Sequence, residues 1–184
     1  MELQGERLIP APVEKTWTAL NDPEVLKACI AGCESLERTE NDKLVAVVAV
    51  KVGPVSARFK GNVQMTNVQA PNSYTINFDG QGGAAGFGKG SADVTLTPED
   101  GQTRLKYVAR AQVGGKMAQV GSRLIDAAAA KIAEDFFKAF EANLQAKAQG
   151  EPVVSVPAAS LGSNRLWWMV GAAVLLAALY FLSQ

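Results

Sequence analysis

The sequence predicts an α+β fold in which a curved antiparallel sheet of about seven strands wraps around one long C-terminal helix, with a transmembrane helix appended. Three observations carry this expectation. Apolar and polar residues alternate with a period of two through much of residues 44–113. Turn-forming pairs such as Gly53-Pro54 and Asp100-Gly101 punctuate that stretch. From Met117 the apolar spacing switches to four residues.

Residues 2–9 form a first short strand. Pro10-Ala11-Pro12 ends it and opens a helix, with Pro12 suited to the first turn and Val13, Trp17 and Leu20 marking the apolar face. Asn21-Asp22-Pro23 breaks that helix and caps a second, Glu24 to Cys29. Strands at 34–39 and 44–51 flank a turn at residues 40–43. In the next strand Ala57, Phe59, Gly61, Val63 and Met65 face one way, and Arg58, Lys60, Asn62, Gln64 and Thr66 the other. After Pro71-Asn72, Tyr74, Ile76 and Phe78 alternate with polar residues. Ala92, Val94 and Leu96 mark a sixth strand, and Leu105, Tyr107, Ala109, Ala111 and Val113 a seventh. These form an antiparallel meander with one wet face. Residues 117–147 read as one helix with a stripe at Val120, Leu124, Ala128, Ile132, Phe136, Phe140 and Leu144. A sheet wrapped around such a helix leaves room for a cavity between them.

Beyond this domain, assigned to residues 1–147, a Pro/Ser/Gly linker covers 148–164 and a transmembrane anchor 165–183. Leu166 to Leu182 carries no charge. As a helix it spans about 25 Å, short for a hydrocarbon core but workable with Trp167, Trp168 and Tyr180 at the interfaces. Its eight Leu, Val and Phe residues favour insertion by roughly −2.4 to −4.8 kcal/mol. The start of the chain, Met1 to Glu6, has neither a basic stretch nor an apolar run, so no export signal is expected there. With Arg165 preceding the apolar run, this places the domain on the cytoplasmic face of the membrane. The linker reaches roughly 45 Å when extended, so the domain is leashed to the bilayer.

The 18 basic and 18 acidic residues balance, which gives no basic face for nucleic acid. Histidine is absent, and with it the commonest general base and metal ligand. Cys29 and Cys33 are four apart, not the spacing of a redox pair or a zinc knuckle, and read as small, buried or half-buried thiols. Carboxylates fall in turns and on polar faces. An enzyme is therefore not expected, although Tyr, Asp or Lys in a cavity could do acid–base work. Gly83 to Lys89 has phosphate-loop spacing, but Gly90 replaces the magnesium-binding hydroxyl and a strand follows. Gly80 to Ala85 fits a dinucleotide fingerprint only loosely and also lacks the helix that would meet a pyrophosphate. The segment reads as a glycine-rich bend where backbone passes close to something else.

Four motifs together resemble the CoxG family of carbon monoxide dehydrogenase: NDPEVLKACIAGCESL at residues 21–36, GPV at 53–55, AGFGKG at 85–90 and VGGKMAQVGSRLID at 113–126. The likeness covers about residues 1–145 and departs at Ala31, where proline is usual, and at Gly88, where alanine is commoner. It implies the helix-grip fold of the START and Bet v 1-like (SRPBCC) superfamily. It also implies an accessory protein that recruits a molybdenum hydroxylase of the carbon monoxide dehydrogenase type to the cytoplasmic membrane. A respiratory quinone, menaquinone or ubiquinone, would bind its apolar cavity and take electrons from the partner's flavin. The residues expected to line that cavity are Phe59, Met65, Tyr74, Phe78, Phe87, Tyr107, Met117, Val120 and Leu124, with ordinary core packing the alternative for each. Phe87, an aromatic among glycines, is the expected gate, and Lys89 and Lys116 are placed near the mouth or on plain solvated surface. A ligand-free membrane recruiter, or a lipid-handling or cyclase-like protein of the superfamily, are the alternative functions.

Overall fold

The structure, a computed structural model, describes residues 1–150. The anchor and nearly all of the linker expected from the sequence lie outside the described residues. Among the described residues, no helix is long and apolar enough to cross a membrane. Strand β1 (Glu2–Ile9) leads into helices α1 (Val13–Leu20) and α2 (Pro23–Cys29). Strands β2 (Cys33–Glu40), β3 (Lys43–Val52), β4 (Val55–Gln69), β5 (Ser73–Gln81), β6 (Phe87–Glu99) and β7 (Gln102–Gly114) follow. A 3-10 turn, Gly83–Ala85, separates β5 from β6. The chain continues with α3 (Lys116–Gln119) and α4 (Ser122–Gly150).

The seven strands form one antiparallel sheet in the order β1-β7-β6-β5-β4-β3-β2. The sequential meander closes by laying β1 beside β7, with Leu3 opposite Ala109 and Gly5 opposite Tyr107. On the inner face, one row runs through Leu44, Val63, Phe78, Gly90 and Ala111. The next runs through Met65, Ile76, Ala92 and Ala109. Two glycines permit the tight packing of neighbouring strands. A Cβ on Gly61 would lie 2.8 Å from the Asp79 carbonyl oxygen, and one on Gly90 would collide with the Arg110 carbonyl.

The single helix expected over 117–147 is two helices. Gly121 adopts φ 95°, a left-handed conformation, and ends α3 before α4 begins at Ser122. Short α2 forms as expected: the Asp22 side chain accepts from the Glu24 backbone N–H at 3.0 Å, and Pro23 occupies the first turn.

The main core joins α1, α2 and the C-terminal half of α4 to the sheet through Ile9, Val13, Leu20, Val25, Leu96, Leu105 and Phe140. Inside it, the Thr16 hydroxyl donates to Thr103 Oγ1 at 3.1 Å, and Thr103 donates to the Ala11 carbonyl at 2.7 Å. Both threonines are fully buried. The chain fastens the start of α1 to β7 through a Pro-bounded segment that has few backbone donors of its own. On the outside, Arg104 of β7 pairs with Glu6 of β1 and with Glu99.

Replacing Thr103 by Val keeps the shape but strands the Ala11 carbonyl and the Thr16 hydroxyl. Urea denaturation should show a loss of about 1–3 kcal/mol, with Thr103→Ser recovering most of it. Hydrogen bonding from Arg104 holds the Glu6 and Glu99 carboxyls below their ordinary value of 4.5. Their small contribution to stability is thus present above that pH and lost as pH falls through the lower folded values. In thermal melts the drop in Tm below about pH 4.5 should be shallower for Arg104→Gln than for the parent.

Candidate functional site

Helix α4 has two unlike halves. Its C-terminal half carries Phe136, Phe137, Phe140 and Leu144, and Phe140 is 0% exposed. The N-terminal half is rich in alanine, with Ala129 and Ala133 pointing the same way as Phe140, about 20° to either side on a helix of 3.6 residues per turn. Opposite them the sheet also presents small residues: Gly90, Ala92, Ala109 and Ala111. Small side chains on both walls leave a cavity of about 420 Å³ between helix and sheet.

Aromatic contacts form one end of this cavity. Tyr107 stacks on Phe137 at 5.4 Å, Phe136 on Phe140 at 5.8 Å, and Trp17 meets Tyr74 edge to face at 5.3 Å. Leu20 of α1 and Leu26 and Ile30 of the α2 region line a side. Met1 and Ile132, which also line the cavity, are exposed and mark its opening to solvent. On the β1 side the wall is fastened by Arg7, which pairs with Glu134 of α4 and lies over the Phe137 ring at 5.8 Å. The lining contains no charged residue, and its oxygen-bearing side chains are Tyr74 and Tyr107. Burial pushes the Tyr74 phenol far above its ordinary pKa, so it is protonated at neutral pH.

Of the nine residues expected from the sequence, Met65, Tyr74, Phe78 and Tyr107 line this cavity. The other five do not. Phe59 faces inward but packs on the glycine-rich segment, where a Cβ on Gly82 would lie 2.6 Å from its ring. Phe87 has the strand parity of Lys89 and Asp93, opposite to Val94 and Leu96. It covers Gly114 on the outer face and is 41% exposed, so it is no gate to this cavity. Met117 is buried on α3, and Val120 follows it at the break before α4. Leu124 is 50% exposed, near the β3–β4 turn, with its Cδ1 3.7 Å from where a Gly53 Cβ would stand. The stripe of four-residue steps misplaced it, because each step turns about 40° and Leu124 lies about 160° from Phe140. Sequence reasoning missed Ala129, Ala133, Ala92, Ala109 and Ala111; an inward-facing row of small residues opposite a helix of alanines was the available signal.

A second, broader hollow of about 1170 Å³ lies mainly on the polar outer face, lined by Asn62, Gln64, Asn77, Asp79, Lys89 and Arg110 among others. Lys89 therefore sits on the face opposite the apolar cavity. Several of these groups already have partners: Asn62 donates to Asp79, and Arg110 pairs with Glu2. The enclosed apolar cavity is the better candidate site, since it lies between two layers and would desolvate a ligand. The two cysteines stand apart from its walls, with Cys29 buried and Cys33 half-buried, and burial raises both thiols. The glycine-rich segment makes a bend, as expected. Gly86 and Gly115, both at positive φ, cross so closely that side chains there would collide with backbone.

Residues 5–145 match the CoxG-subunit family of carbon monoxide dehydrogenase. The chain belongs to that family. No match was found among curated proteins. A conserved protein of Geobacillus kaustophilus has a similar solved structure, with a TM-score of 0.75, 32% identity, and coverage of 80% of this chain and 97% of its own. An aromatase/cyclase from Streptomyces aligns at a TM-score of 0.61 and 12% identity, over 82% of this chain and 96% of its own. The protein Ara h 8.0201 aligns at 0.58 and 17%, over 79% and 98%. These last two likenesses concern the fold alone, which is the helix-grip architecture of the Bet v 1-like (SRPBCC) group.

The two halves of α4 should respond differently to truncation. Phe140→Ala should cost about 3–5 kcal/mol in chemical denaturation, whereas Leu124→Ser should change stability by less than about 1 kcal/mol.

Proposed function

We propose that this CoxG-family chain holds a respiratory quinone, menaquinone or ubiquinone, in the cavity between α4 and the sheet, as electron acceptor for a molybdenum hydroxylase of the carbon monoxide dehydrogenase type. The family is one of accessory proteins of carbon monoxide dehydrogenase. The observation that carries the quinone reading is the cavity itself: about 420 Å³, bounded by apolar side chains, with no charged residue in its lining. That volume falls within the range of small-molecule sites. In this reading the quinone accepts two electrons from the flavin of the partner and two protons, leaving as quinol. The protein's own part is to extract a lipid-soluble acceptor, shield it from water and present it. It does not perform the oxidation.

The apolar run from Leu166 to Leu182 supports a second element of the reading, recruitment of the hydroxylase to the cytoplasmic membrane. A leash of about 15 residues keeps the domain near quinone dissolved in the bilayer, with freedom to reach a soluble enzyme.

Solvent extraction of the full chain, purified from quinone-containing membranes, should recover quinone by chromatography. Ala133→Leu, which fills the cavity from the helix side, should lower the recovered amount at least several-fold while leaving Tm unchanged or raised. Equal quinone in both preparations, or none in either, would count against the reading. Deleting residues 165–184 should move the protein from the membrane to the soluble fraction on sedimentation; persistence in the membrane fraction would remove the anchor from the account.

A further inference from the structure

We infer that the Tyr74 hydroxyl is the hydrogen-bond donor that recognises an acceptor oxygen on the cavity's ligand, and that the site selects uncharged ligands bearing such an oxygen over hydrocarbons and over anions. This rests on the reading of the cavity as a ligand site and assigns its polar recognition.

The argument begins with what the walls lack. Aliphatic side chains, alanines and phenylalanines make up almost the whole surface, and only the two tyrosines bring oxygen atoms from side chains. Tyr74 is 4% exposed. Among the described residues, neither tyrosine hydroxyl has a hydrogen-bond partner. A tyrosine buried to this depth ordinarily has one, because desolvating a hydroxyl without compensation is costly. The inner face of β5 places the ring against Trp17, and the edge-to-face contact at 5.3 Å fixes its orientation. The phenol stays protonated at neutral pH, so it enters the site as a donor.

Tyr107 holds a different position. Its ring is stacked on Phe137, and its hydroxyl lies over Gly5, where a Cβ would come within 2.5 Å of the oxygen. The missing side chain at Gly5 lets this phenol extend toward the β1 edge. Tyr107 is therefore the second, more peripheral polar contact, and Tyr74 the inner one.

Charge selection follows from the same lining. A carboxylate ligand would find no Lys or Arg on the walls. The cation that packs on a lining residue, Arg7 over Phe137, is already engaged by Glu134. An anion would leave water for a surface with nothing to neutralise it.

Three probes of similar shape separate these effects: 2,3-dimethyl-1,4-naphthoquinone, 2,3-dimethylnaphthalene and 2-naphthoate. The ring methyls of the quinone block addition of the cysteine thiols. Isothermal titration of the full chain in mild detergent gives each Kd for the parent, Tyr74→Phe and Tyr107→Phe. Partition into micelles is common to all three proteins and cancels in the ratios. The inference expects Tyr74→Phe to weaken the quinone about 3- to 10-fold while leaving the hydrocarbon within about 2-fold. Tyr107→Phe should have the smaller effect on the quinone, and naphthoate should bind at least about 100-fold more weakly than the quinone. If quinone and hydrocarbon bind and Tyr74→Phe affects both alike or neither, the assignment of Tyr74 is overturned while the cavity reading stands. Tight naphthoate binding overturns the charge selection. Failure of all three probes to bind overturns the inference together with the cavity reading.

Discussion

Helix α4 meets the sheet through side chains of two sizes, and the rest of the molecule is organised around that difference. Phe136, Phe137 and Phe140 fill the space under the C-terminal half, where they pack with Tyr107 and reach the core shared with α1 and α2. Ala129 and Ala133 cannot fill the same gap under the N-terminal half. A helix is straight over this length, so anchoring one half at the distance set by phenylalanine rings holds the other half off the sheet at a similar distance. The cavity is then a consequence of where large and small residues fall along one helix. It needs no separate structural device.

The sheet contributes the matching half of this arrangement. Gly90, Ala92, Ala109 and Ala111 form the wall facing the alanines of α4. Glycines elsewhere make room for rings: Gly5 under Tyr107, Gly90 beside Phe78, Gly82 against Phe59 and Gly114 beneath Phe87. In the first two pairs the ring belongs to the cavity wall, so the glycine positions an aromatic that a ligand would touch. The buried threonine pair and the Arg7–Glu134 contact secure the surrounding frame at α1 and at the edge strand.

Much of this fold was legible in the sequence because alternation with period two is a strong signal, and all seven strands stand where alternation and turn residues put them. Residues on the inner face of those strands were likewise readable, which is why Met65, Tyr74, Phe78 and Tyr107 were found. What failed has physical causes. Gly121 at positive φ splits the last helix, and glycine within a periodic run does not announce its backbone conformation. A stripe counted in fours drifts around the helix, so Leu124 and Ile132, at 50% and 46% exposure, were given an inward role they do not have in full. Phe87 seemed central because it stood among glycines, but strand parity turns it outward. Alanines were overlooked because a search for a binding site looks for large side chains, whereas a cavity is made where they are missing.

A CoxG-family accessory protein built this way offers its partner enzyme a dry compartment with almost no polar surface. The account depends most directly on the alanine-lined gap being the place a ligand occupies. Methyl NMR of the full chain labelled at alanine, titrated with a neutral apolar ligand, tests this residue by residue. The account predicts shifts concentrated at Ala92, Ala109, Ala111, Ala129 and Ala133, with Ala11 and Ala46 unmoved. Shifts absent from those five methyls, or centred on the glycine-rich segment around Ala85, would contradict it.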